Sequence, residues 1–380
     1  MMKKINTGIY IHIPFCESRC HYCDFCSSII NEENVKKYFE YLQKEIDLYK
    51  DILKNRVIDS IFIGGGTPSS VDEKYIGEIL EKLNNFEISK DAEISIESNP
   101  NSLSLKKLRA YKSFGINRIS IGAQSFNDDI LKDIGRVHNK SQILKAVENV
   151  NAAGIKNFNL DLMLALPNQK MEDIYESIEE VKKLKSTHIS YYSLILEEGT
   201  VLYDRYKNND KAFADEKKDR EMYHYVVNSL EALGYKQYEI SNFAKEGYEC
   251  RHNLKYWKLK DYISFGLSAS SNISNTRYTN YYNFLDYYEK IDENKKPIGF
   301  KEDLSIDDRL NEFIIMGIRL NEGINVNEIN ERFNIDFEKK YRSAIKKNIE
   351  SGLLEKKDDN YKLTTLGRDL SNSVELDFFI

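Results

Sequence analysis

Gly8-Ile-Tyr-Ile-His-Ile-Pro-Phe-Cys16-Glu-Ser-Arg-Cys20-His-Tyr-Cys23, continued by Asp24-Phe25-Cys26, decides the reading of this chain. Gly8–Ile13 alternates isoleucines with other side chains, the period of a strand, and Pro14 closes it. Cys16, Cys20 and Cys23 then follow at x3 and x2 spacing. Thiolates are the ligands of iron–sulfur clusters, and one short loop can set three of them on one [4Fe–4S] cubane. Three protein ligands leave one iron free for a small molecule. A structural zinc site and a redox disulfide are the competing readings. Structural zinc usually joins two ligand couples far apart in sequence, and outside this loop the chain has only Cys250. Cys26 reads as a spare thiol, because a fourth protein ligand would close the free iron.

Outward from this loop, short β-branched runs alternate with amphipathic stretches. Strands are expected at Gly8–Ile13, Asp59–Gly64, Ala92–Ser98, Asn117–Gly122, Lys156–Leu164 and His188–Leu196. Helices are expected between them at Glu33–Leu53, Asp72–Asn84, Ser104–Phe114, Ser141–Gly154 and Met171–Leu184. Ser104 caps one helix, while Gly115 and Gly154 each end one. Strands alternating with helices imply parallel βα units with right-handed crossovers. The expected fold class is α/β, a partial (β/α)6 barrel over residues 1–200, with chemistry at the C-terminal strand ends. Residues 201–300 read as a barrel extension, and residues 301–380 as a small winged-helix-like domain.

The polar residues after each expected strand form the candidate site. They are Gly65, Gly66 and Thr67 in Gly64-Gly-Gly-Thr-Pro68, Glu97 in Glu97-Ser-Asn-Pro100, Gln124, Arg136 in Gly135-Arg-Val-His138, and Asp161. Tyr10 joins them from the first strand. Singly each could be a capping or solvated group; their shared place near strand ends makes them a constellation. His252-Asn-Leu-Lys-Tyr256-Trp257 holds the single tryptophan. A neutral imidazole is a good haem-iron ligand, and Tyr256 and Trp257 could pack on a macrocycle. A hydrogen-bonded core histidine is the plainer alternative.

With 55 Lys+Arg against 61 Asp+Glu, the net charge of −6 argues against general affinity for nucleic acid or anionic membranes. Residues 301–380 carry 13 Lys+Arg against 17 Asp+Glu, so this winged-helix-like segment is expected to dock rather than to bind DNA. No apolar run reaches membrane-spanning length, which leaves only a peripheral membrane contact open. Clustered cysteines and no evident signal peptide point to the cytoplasm.

The CxxxCxxC loop after a first strand resembles the radical S-adenosylmethionine (SAM) superfamily. The runs YIHIPFC, GGGTPS, IGAQSFND, GRVH and DLMLALPNQ are similar to its branch of oxygen-independent coproporphyrinogen III oxidases and their relatives. Phe25, where the oxidases have another cysteine, and the HNxxYW match favour the HemW family of haem chaperones within that branch. The resemblance implies a [4Fe–4S] cluster on Cys16, Cys20 and Cys23, whose free iron takes the amino and carboxylate groups of SAM. It assigns SAM contact to Tyr10, Gly65, Gly66, Thr67, Glu97, Gln124, Arg136 and Asp161, and it makes His252 a candidate haem ligand. Haem is then the third cofactor, and a haem acceptor and an electron-donor protein are the partners. Porphyrinogen decarboxylation of the oxidase type is the alternative function. This sequence departs from the branch at Ala165, where glycine is usual, and at Gly266-Leu-Ser-Ala-Ser-Ser271 in place of a GAGAHS-like stretch.

Overall fold

A computed structural model describes residues 4–379. Six strands run parallel in chain order as β1 (Ile5–Ile13), β2 (Arg56–Gly65), β3 (Ile88–Ser98), β4 (Arg118–Gln124), β5 (Asn157–Leu164) and β6 (His188–Ser193). The crossovers carry α1 (Glu32–Leu48), α2 (Glu73–Leu83), α3 (Leu105–Ser113), α4 (Lys140–Ala152) and α5 (Met171–Leu184). Local chemistry sets several ends. Ser104 Oγ accepts from the Lys107 N–H at 3.2 Å, and Gly115 and Gly154 take the left-handed backbone that stops the helices before them. The expected helix Glu33–Leu53 is interrupted at Tyr49, which leaves helical geometry and begins a separate turn at Lys50–Leu53.

The chain beyond β6 extends this sheet on both edges. Helices α6 (Val201–Tyr206) and α7 (Glu216–Ala232) lead to β7 (Lys236–Glu239) and β8 (Asn242–Ala244), which pair antiparallel beyond β6. Helix α8 (Arg251–Trp257) then crosses to β9 (Tyr262–Phe265), which lies parallel to β1 on its free side. β9 is a seventh parallel strand that the sequence pattern does not reveal. It is only four residues long, and Ser264 on one face is as buried as Ile263 and Phe265 on the other, so its pattern is too short to mark it. Three antiparallel strands, β10 (Ser270–Ile273), β11 (Thr276–Asn280) and β12 (Ile298–Asp303), complete a twelve-stranded sheet.

The C-terminal segment packs α9 (Ile306–Ile318), α10 (Val326–Phe333) and α11 (Arg342–Glu350) against a three-stranded sheet of β13 (Ile324–Asn325), β14 (Leu354–Lys357) and β15 (Asn360–Leu363). It has its own core around Ile314, Ile318, Ile329, Phe337 and Phe378. Among the described residues no helix is long and apolar enough to cross a membrane.

Candidate functional site

At the C-terminal end of β1 the backbone turns into the cysteine loop. Phe15–Cys16 pairs with Ser28–Ile29, tying the loop's two ends together. Gly66 N–H donates to Ile13 O at 2.9 Å and Thr67 N–H to Phe15 O at 2.7 Å, which fasten the glycine turn against the loop. A Cβ on Gly66 would sit 2.7 Å from Phe15 O and 3.0 Å from Cys16 Sγ, so only glycine fits. Thr67 Oγ1 donates to Cys16 Sγ at 3.6 Å, and Arg136 Nη1 to Cys20 Sγ at 3.2 Å. Burial pushes the Cys16 thiol up and the Cys23 thiol up to about 11. Such thiols stay protonated until a cation claims them.

One pocket gathers Cys16, Cys20 and Cys23 with Gly65, Gly66, Thr67, Glu97, Gln124, Arg136 and Asp161. Among the described residues no three His, Cys, Asp or Glu side chains are grouped to chelate a single ion. A cubane asks for a wider spacing, one thiolate per iron, and three thiols around one pocket suit that demand. Cys26 stands outside this wall, with its Sγ directed at Tyr282 O at 3.6 Å.

The pocket's carboxylates are strained electrostatically. Glu97 accepts from the Gly65 N–H at 3.1 Å, and burial with the nearby Asp161 charge pushes its carboxyl up to about 7. Burial also raises Asp161, which Asn159 and Ser120 counteract by donating at 2.7 and 3.1 Å. Arg136 donates to Gly122 O at 2.7 Å and to Asn99 Oδ1, while its buried Nε has no partner. Gln124, at φ +65°, accepts from the Tyr192 hydroxyl at 3.1 Å. Two carboxylates, Glu97 and Asp161, and two cations, Arg19 and Arg136, line the same pocket, so it presents charge of both signs to a ligand.

Tyr10 is not in that wall. Its ring stacks on Phe62 at 6.3 Å, and its hydroxyl donates to His12 Nδ1 at 3.1 Å, while His12 Nε2–H donates to Cys26 O at 2.9 Å. Tyr10 therefore backs the cysteine loop. The pocket also includes Tyr22, Phe25, Ser98, Asn99, Gly122 and Tyr192, which the sequence reading passes over. Tyr192 could have been found, since it sits near the end of the last parallel strand of the six.

His252 lies elsewhere and is buried. It accompanies Glu93, four residues before Glu97 on β3 and so roughly 13 Å down the strand. His252 Nδ1 bonds Ser60 Oγ at 2.9 Å and Nε2 bonds the Tyr256 hydroxyl at 2.9 Å, so both ring nitrogens are engaged. Burial, with the Lys255 charge, lowers its pKa to about 3. The expectation of a haem ligand is corrected for this conformation: a buried ring with two hydrogen-bonded nitrogens offers iron no lone pair. Cys250 is buried beside it, against Glu93 Oε1 at 3.5 Å, and its thiol is pushed up to about 12. Helix α8 thus plugs the floor of the barrel.

Comparison with known proteins settles the family. The "Heme chaperone HemW" of Bacillus subtilis is 36% identical over 369 residues, covering 96% of this chain and 97% of that protein. The chain belongs to the HemW family. The Escherichia coli HemW is 35% identical over 276 residues, 72% of each chain. The profile of the radical SAM superfamily matches residues 10–181, and that of the HemN C-terminal domain matches residues 304–370. Among solved structures, coproporphyrinogen III oxidase (HemN) from Escherichia coli superposes with a TM-score of 0.88 at 22% identity, over 99% of this chain and 90% of that one. A HemW chain thus has the HemN fold, with its radical SAM portion spanning the parallel strands from β1 to β5. The superfamily implies a [4Fe–4S] cluster and SAM as cofactors.

Proposed function

We propose that this protein is a haem chaperone: it holds a [4Fe–4S] cluster and SAM in the barrel pocket, takes up haem, and hands it to an acceptor protein. The observation that carries the reading is the near full-length likeness to a protein described as a heme chaperone, joined to an intact pocket. Cys16, Cys20 and Cys23 would ligate the cluster. Arg136 would meet the SAM carboxylate, Glu97 its ammonium, and Asp161 the ribose hydroxyls. Gly65, Gly66 and Thr67 would bring the backbone close, Gln124 would complete the polar wall, and Tyr10 would support the loop from behind. When bound, the cluster and SAM supply one-electron chemistry. The protein's part is to orient them and to keep water from the pocket.

The reading places the chain in the cytoplasm and divides it into residues 1–200, 201–300 and 301–380. The acidic last segment is a docking module, and an electron-donor protein serves the cluster. Haem binding is tested by anaerobic reconstitution followed by haemin titration, with iron, sulfide and haem quantified together. A saturable Soret shift supports the proposal, and a titration that never saturates refutes it. The complete pocket also favours a second reading, radical decarboxylation of a porphyrinogen. Anaerobic incubation with coproporphyrinogen III, SAM and a reductant should then give protoporphyrinogen and methionine, and no product at full cluster loading removes it.

A further inference from the structure

We propose that residues 194–213 form a strap fastened to the cysteine loop through Asp133, and that this clasp positions Cys20 and Tyr22 for the cluster. The inference rests on the cluster reading above and adds the device that holds the loop in shape.

His21, between two of the cluster cysteines, is pinned from two sides. Its N–H donates to Ile134 O at 3.0 Å, and its carbonyl accepts from the Leu202 N–H at 2.8 Å. Its ring Nδ1 meets Asp133 O at 2.8 Å. The ring lies so close over Gly135 that a Cβ there would be 2.7 Å from it, and Gly135 also has a φ of +75°. The next residue is Arg136, which donates to Cys20 Sγ at 3.2 Å. Four consecutive residues, Asp133 to Arg136, therefore all grip the cysteine loop or its strap.

The strap closes on the same point. Arg205 Nη1 donates to Asp133 Oδ1 at 2.6 Å and to Asp133 O at 2.9 Å. The Tyr206 hydroxyl donates to the other carboxylate oxygen at 2.6 Å. Leu202, Tyr206 and Ala212 form a small apolar core of their own, and Tyr22 of the cysteine loop packs against it. A lone surface ion pair stabilises little, and the Asp133–Arg205 pair is partly exposed. Here the carboxylate takes donors from two strap residues, and the backbone bond from Leu202 and the apolar core act in parallel. Strap closure and loop order are then one two-state element, so each biases the other by the same factor.

Trypsin reads that coupling, because Arg205, Lys207 and Lys211 are all in the strap. In the wild type, anaerobic cluster loading should slow strap cleavage about fivefold, a typical coupling. In Asp133→Ala, cleavage with and without cluster should converge, and a chelator should bleach the cluster several-fold faster. Arg205→Gln, changed from the strap side, should do the same for cleavage at the remaining Lys207 and Lys211, and its melting temperature controls for folding. Asp204→Asn, whose carboxylate pairs with Lys207, should behave as wild type. Wild-type protection and bleaching in both clasp variants would overturn the proposal, as would equal loosening in Asp204→Asn. If the wild type takes up no cluster, the cluster reading falls and the positioning role with it. Strap cleavage in cluster-free Asp133→Ala against wild type then still shows whether Asp133 holds the strap.

Discussion

Replacing Glu97 with glutamine should make the cluster-free protein more stable at pH 8 while weakening its grip on SAM. Burial and the neighbouring Asp161 push the Glu97 carboxyl from 4.5 to about 7. Between those values the folded protein binds a proton that the unfolded chain does not. Stability from this group is therefore fully present below pH 4.5 and is lost as pH rises through 7. A displacement of that size corresponds to about 3 kcal/mol at most, and about 2 kcal/mol once water reaching the pocket is allowed for. Glutamine keeps the acceptor for the Gly65 N–H, which lies 3.1 Å from Glu97 Oε2, and removes the charge. Thermal melts of cluster-free wild type and Glu97→Gln should coincide near pH 4.5 and separate by pH 8, with the variant higher. Equal melting at pH 8, or the same gain at both pH values, would refute the electrostatic reasoning. The loaded protein gives the converse. Wild-type SAM affinity should fall about tenfold from pH 8 to pH 6 as Glu97 takes its proton, and the variant should bind weakly at both.

Three further outcomes follow from the same geometry. Cys16→Ser, Cys20→Ser and Cys23→Ser should each abolish labile sulfide and cluster colour, whereas Cys26→Ser, outside the pocket wall, should retain both. Ala165 holds a φ of +56°, so Ala165→Gly should raise stability by about 0.5–1 kcal/mol, read as a higher melting temperature with unchanged SAM affinity. His252→Ala removes a buried ring with two hydrogen bonds and should cost about 3 kcal/mol. The same ring, neutral down to about pH 3, makes wild-type stability fall as pH drops below about 6.5, and His252→Ala should flatten that acid slope.

The pocket was legible because its chemistry sits on strand ends and turns, where residue type and spacing report directly on position. Gly65 needs a φ of +114° and Gly66 needs space beside Cys16, so both glycines are written into the sequence by backbone demands. Glu97 and Asp161 lie on strands whose period of two aims them inward. What was not legible depends on tertiary closure. β9 is four residues long and both its faces are covered, Ser264 as fully as Ile263 and Phe265. Tyr10, which the family resemblance adds to the SAM contacts, stands on β1 behind the pocket lining, bonded to His12. His252 is ambiguous from sequence alone: a histidine among aromatics looks the same whether it awaits iron or closes a floor.

That floor connects to the pocket, which changes how a haem defect at His252 should be read. His252 stacks on Phe62 at 5.4 Å, and Phe62 stacks on Tyr10, which supports the cysteine loop through His12. On the opposite wall, Asp161 shares Asn159 with His188, whose other nitrogen meets Tyr238, and the Tyr238 hydroxyl accepts from the Cys250 N–H at 3.4 Å. A substitution at His252 should therefore loosen the Phe62–Tyr10 support of the cysteine loop along with the motif. Lost haem binding in His252→Ala would mean ligation only if SAM affinity and cluster content held steady. If all three fall together, the motif acts by building the barrel interior. If haem binding alone falls, α8 must leave the floor to free the imidazole, and haem should then protect the protein less against unfolding than SAM does.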